Sequence, residues 1–208
     1  MGFTRLRPRR AEPSETDRSE GFSDGVFAVA ITLLALDLGR VHAQSGVGDG
    51  TLLAALRLYW PTLLAFAASF TFIGVAWTNH HNVFIRVARM SRGLSAANLL
   101  LLAGITLVPW ATSTLAEALS QHGTHAQQEV LRYAAVLTFG TATWWLLFHT
   151  LATHPELLVH PDNAQGFRAD RIGTLIGFIG TAIAAAVGFL WSPVAATTLF
   201  FALPVFFA

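Results

Sequence analysis

The sequence contains no cysteine. Disulfides, thiolate metal sites and cysteine nucleophiles are therefore excluded. Lysine is absent as well, and all thirteen basic residues are arginine. Charge is scarce. Charged residues make up 12% of the chain, against roughly 25% in an average soluble domain. The net charge of +1 leaves no electrostatic footprint for nucleic acid, so no such partner is expected. The first twenty residues are polar, with no apolar stretch of the kind a secretory signal carries. No Ser/His/Asp triad, phosphate-cradling glycine loop or pair of carboxylates on one face is present, and an enzyme is not expected.

Apolar residues are what the chain has in excess. They make up 53% of 208 residues, including 16 Phe and 6 Trp, and the mean hydropathy is +0.53. This excludes a disordered chain and argues against a water-soluble domain. A membrane-spanning helix needs about 20 mostly apolar residues. Six segments qualify or nearly do: 22–38, 51–78, 94–116, 130–152, 172–190 and the shorter 193–208. The connection 79–93 follows the second, and 153–171, marked by Pro155, Pro161 and Asn163, follows the fourth.

Arginine alternates across these segments. Arg5, Arg7, Arg9, Arg10, Arg18, Arg86, Arg89, Arg92, Arg168 and Arg171 fall on one side, and only Arg40, Arg57 and Arg132 on the other. This is the positive-inside pattern. It predicts a multi-pass protein of the cell (inner) membrane with both termini cytoplasmic. Residues 1–18 are expected to form a flexible cytoplasmic tail and 19–208 an all-α domain of six transmembrane helices.

The first span is the most informative. Ser23 or Asp24 suits a helix N-cap, and the Arg18 guanidinium is a candidate bidentate partner for Asp24. Beyond Asp24 the segment is apolar all round as far as Asp37. Phe22, Val29, Leu33 and Leu36 share one narrow face, with Thr32 beside it. Such a stripe either packs a bundle core or faces a pathway. Asp37 either contributes to an acidic ring that concentrates cations or caps the helix end beside Arg40.

Arg18-x-x-x-Phe22-Ser23-Asp24 resembles the signature of the transmembrane protein 175 family of potassium channels. The spacing from Asp24 to Thr32, the Thr-Leu-Leu-x-Leu-Asp ending at Asp37, Trp77-Thr-Asn-His80-His81, and Asn98-Leu-Leu-Leu-Leu followed by Pro109-Trp-Ala-Thr112 are also similar to it. Trp110 departs from the usual Phe. The resemblance covers residues 18–116; the second half matches in hydropathy, span count and length. It implies a six-helix subunit, four of which assemble as a homotetramer around a pore lined by the first helices. Potassium would be the permeant ion, with no cofactor and with the lipid bilayer as surroundings. It further implies a constriction or gate at Val29, Leu33 and Leu36 and a selectivity role for Thr32; Asp37, at the outer end of that helix, would then stand at the pore mouth. Arg18, Phe22, Ser23, Asp24, Trp77, His80 and Asn98 are expected as a structural cluster holding the pore helix. No metal site is assigned. A proton-permeable or proton-coupled carrier using Asp24, His80 and Asp37 is the alternative.

Elsewhere, His122 and His125 share a loop with Glu117 and Glu129, as a solvated group or a divalent-metal or pH-sensing one. His149 is expected to hydrogen-bond between helices, and Gly173-x-x-x-Gly177-x-x-Gly180 to permit close helix contact.

Overall fold

The computed structural model describes residues 14–44, 52–120 and 125–206; the side chains of 37–44, 52–58 and 205–206 lie outside the description. Six α-helices follow in order: α1 Glu15–Gln44, α2 Leu52–Phe84, α3 Arg92–Ser120, α4 His125–Thr153, α5 Asn163–Leu190 and α6 Pro193–Phe206. Five contain a stretch long and apolar enough to cross a membrane. α6, with 14 residues, extends about 21 Å, less than the roughly 30 Å hydrocarbon layer. The protein is an all-α, multi-pass membrane protein, as its composition requires.

Helix starts follow local hydrogen-bonding chemistry. Ser14 Oγ accepts from the Asp17 N–H at 3.1 Å, and Asp17 Oδ2 accepts from the Ser14 N–H at 2.9 Å. This reciprocal box starts α1 two turns before Ser23 and Asp24, which therefore lie inside the helix and do not cap it. Ser91 Oγ accepts from the Leu94 N–H at 3.1 Å and opens α3. Ser192 does the same for α6 ahead of Pro193, a residue suited to a first helical turn. The second helix also outruns its expected end at Thr78. Residues 79–84 remain helical because His80, Val83 and Phe84, spaced i, i+3, i+4, are buried.

Helices α2, α3, α4, α5 and α6 pack in a closed ring, each against the next and α6 back against α2. α1 lies outside this ring, against α2 and α3. At Gly104 and Gly140 the ring is drawn tight: a Cβ on Gly104 would stand 3.2 Å from the Gly140 Cα, so α3 and α4 meet backbone to backbone. At the arginine-rich end two connections are tied together. The N–H groups of Ala88 and Arg89 donate to the Leu157 carbonyl at 2.8 and 3.2 Å, and the Val159 N–H donates to the Arg86 carbonyl at 2.9 Å. A short 3₁₀ turn, Pro155–Leu157, presents that carbonyl.

Candidate functional site

Two faces of α1 have opposite surroundings. Ser23, Phe27, Ala30 and Leu34 are buried against the neighbouring helices. About 100° round the helix, Phe22, Val29, Leu33 and Leu36 are 58%, 57%, 43% and 64% exposed. The aliphatic stripe therefore does not pack the core formed by the chain's own helices. Thr32 is exposed on the same side, and its Oγ1 donates to the Val29 carbonyl at 2.8 Å, three residues back. That bond satisfies the hydroxyl proton and leaves oxygen lone pairs turned outward. Asp37, the expected mouth residue, falls within α1, but its side chain lies outside the described residues.

The buried face is anchored by polar groups. Asn98 Nδ2 donates to Ser23 Oγ at 3.0 Å, and Asn98 Oδ1 lies 2.9 Å from His80 Nε2. Ser23 Oγ in turn donates to the Ser19 carbonyl at 2.8 Å. Taken together, these bonds join α1, α2 and α3 through groups that are essentially inaccessible. Since Asn98 Oδ1 can only accept, His80 carries its proton on Nε2. The ring is held between Phe84, stacked at 4.2 Å, and Phe27, edge-on at 5.4 Å. Among the described residues, its buried Nδ1 finds no hydrogen-bond partner.

A second, exposed set runs alongside. Trp77 Nε1 donates to Asp24 Oδ1 at 2.9 Å, His81 Nδ1 lies 2.8 Å from Glu20 Oε1, and the Trp77 and His81 rings stack at 6.5 Å. The structure thus brings together Ser23, His80 and Asn98 in one set and Asp24 and Trp77 in the other. Arg18 and Phe22 stand apart from both. Both are exposed, and Asp24 takes its hydrogen bond from Trp77 where Arg18 was expected. Residues 77 and 81, one turn apart on α2, reach α1 residues 24 and 20, also one turn apart. This i, i+4 pairing is the signal by which Glu20 would have been found.

Three further features bear on the expectations. Ser69 Oγ lies 2.6 Å from Thr112 Oγ1 and 2.8 Å from Tyr133 Oη, joining α2, α3 and α4 at the centre of the ring. Sequence spacing had not linked these residues. His149 does bond between helices, to Arg171 Nη1 at 2.9 Å, and it stacks on Trp145 at 5.0 Å. Among the described residues no group of three His, Asp or Glu could hold a metal ion; His122 lies outside them.

Comparison with known proteins decides the family. The model of the endosomal/lysosomal potassium channel TMEM175 family matches residues 18–109. A potassium channel of Streptomyces collinus is 42% identical over 171 residues, covering 80% of this chain and 79% of that protein. The chain belongs to the TMEM175 family. A potassium channel of Chamaesiphon minutus is 48% identical over 108 residues, 52% of this chain and 53% of that one. The crystal structure of a lysosomal potassium-selective channel TMEM175 homolog from the same organism superposes with a TM-score of 0.75 at 32% identity, covering 93% and 96% of the two chains. Vertebrate relatives are larger: the endosomal/lysosomal proton channel TMEM175 of Gallus gallus is 34% identical over 162 residues, 75% of this chain but 32% of that one. TMEM175 members are ion channels, and this chain is not an enzyme.

Proposed function

We propose that this TMEM175 member is a passive, potassium-selective channel whose pore forms where the α1 helices of four identical subunits meet. The observation that carries the reading is the outward stripe: a run of aliphatic side chains at Val29, Leu33 and Leu36, on the helix that lies outside the ring, with Thr32 beside it. Relatives at 42% and 48% identity bear the name potassium channel. In a fourfold assembly those residues form stacked apolar rings. A narrow apolar ring sheds water and closes to ions until its side chains withdraw. Val29, Leu33 and Leu36 are then the constriction and gate, Thr32 supplies oxygen at the ion path, and Asp37 forms a cation-attracting mouth. Ser23, Asp24, Trp77, His80 and Asn98 hold α1 at the angle this requires.

By the positive-inside rule, the end carrying Arg86, Arg89, Arg92, Arg168 and Arg171 faces the cytoplasm, and the chain lies in the inner membrane with both termini inside. A second reading, proton permeation, is favoured by the proton-channel names of the vertebrate relatives. Purified protein in potassium-loaded liposomes distinguishes the two. The potassium reading requires ion efflux that a proton ionophore leaves intact and that sodium replaces poorly. Acid flux with no potassium efflux would establish proton permeation and overturn it.

A further inference from the structure

A cavity of about 440 Å³ lies between α2, α4, α5 and α6 at the arginine-rich end, a size ordinary for a small-molecule site. It exists because α2 and α5 barely meet, each packing on α6 instead, and Phe200, Leu203 and Pro204 of α6 line part of it. Its depth is apolar, with Phe72, Leu137, Trp144 and Phe148 among the walls. Its opposite end carries Arg86 and Asp170, with Asn79, Asn82 and Thr174 beside them. The Arg86 guanidinium sits 5.3 Å over the Phe167 ring. Arg86, partly buried, and Asp170, exposed, lie within electrostatic reach of each other but form no ion pair within 4.0 Å among the described residues. Of the glycines expected to draw helices together, Gly173 and Gly177 line this space. A Cβ on Gly173 would meet nothing within 4 Å and one on Gly177 only Thr141 at 3.5 Å, whereas Gly180 alone faces α6, 2.5 Å from Leu203 Cδ2. No α1 residue lines the cavity, so it is separate from the outward stripe.

We propose that this cavity binds a zwitterionic phospholipid, with its phosphate at Arg86, its ammonium at Asp170 and one acyl chain along the apolar walls. Ionised groups in a membrane protein require partners of opposite sign. A headgroup carrying both charges can engage the two at once, phosphate to guanidinium and ammonium to carboxylate. An anionic lipid would serve Arg86 but set a like charge against Asp170. The apolar depth selects a lipid over its free headgroup, and an arginine-rich helix end is where phosphates of a leaflet lie.

The test is native mass spectrometry of the full-length protein in detergent with dioleoyl phosphatidylethanolamine or dioleoyl phosphatidylglycerol. Phosphatidylethanolamine should be retained in preference. Asp170→Asn should weaken its retention about tenfold, the size of one charge-assisted hydrogen bond, and strengthen that of phosphatidylglycerol, whose like charge it no longer opposes. Gly173→Leu, placed in open space, should abolish retention of both lipids without altering elution volume. Equal retention of the two lipids by the native protein would overturn the proposal. So would undiminished retention in Gly173→Leu, or a crosslink from position 173 to another copy showing that a neighbouring subunit fills the cavity. Should Gly173→Leu misfold, unchanged phosphatidylethanolamine retention in Asp170→Asn is by itself enough to reject it.

Discussion

At the scale of single residues, each α1 side chain divides its duties by face. Leu33 is exposed on α1 and belongs to the proposed constriction. Trimming it widens the ring and lowers the cost of wetting it. Leu33→Ala should raise basal potassium efflux from liposomes severalfold, and an unchanged rate would remove Leu33 from the gate. Thr32 bonds backbone through its hydrogen and faces outward through its oxygen. Thr32→Val keeps the shape and removes the oxygen, so the reversal potential under mixed potassium and sodium should move toward the non-selective value. A fixed reversal potential would assign selectivity elsewhere. Asn98 is different, because it acts through burial. Asn98→Leu leaves Ser23 and His80 without their shared partner. Between membrane helices such bonds contribute about 1–2 kcal/mol, so the variant should melt several degrees lower in detergent, with loss of the α1 orientation.

Among whole helices, close packing and open space are both set by glycine. A methyl on Gly188 would strike Val130 of α4 and stand 2.8 Å from the Ala196 Cβ of α6. Neither neighbour is a flexible side-chain end, so backbones must separate. Gly188→Ala should lower the melting temperature, by an amount corresponding to about 1–3 kcal/mol. Gly173→Ala, with nothing to strike, should be neutral or slightly stabilising through helix propensity. Equal melting temperatures for the two variants would show that α4, α5 and α6 are not in tight contact at Gly188. Glycine spacing alone did not distinguish these positions, since which helix a glycine meets is a tertiary fact. Helix number and order were legible from hydropathy because a bilayer-length apolar run admits few other structures. Boundaries were less so. Asn79-His-His-Asn falls in the connection after the second apolar span, yet its helical spacing hides His80 on the inner side. The Ser14–Asp17 box was legible in principle, but the polar tail around it drew attention to Ser23 instead. The Ser69–Thr112–Tyr133 set was not legible, because its members lie on three helices that only the packed ring brings together.

At the scale of the molecule, the arginine asymmetry and the fold make one geometric statement. The Arg86 and Leu157 segments, joined by backbone hydrogen bonds, lie at one end of the bundle with the start of α1, and the start of α4 lies at the other. If arginine sets orientation, these ends face opposite sides of the membrane. The cysteine-free sequence makes this directly measurable, because any thiol introduced is the only one present. Asp162 and Gln127 are exposed at the two ends, and a surface substitution away from packed groups changes stability little. In intact cells, Gln127→Cys should react with a membrane-impermeant maleimide, whereas Asp162→Cys should react only after permeabilisation. The reverse pattern would turn the molecule over, putting Asp37 on the cytoplasmic side and the proposed phospholipid cavity in the outer leaflet. Labelling of both sites in intact cells would mean that the chain inserts in two orientations. Ten arginines against three make that outcome costly, because each stranded arginine must cross or snorkel through the hydrocarbon.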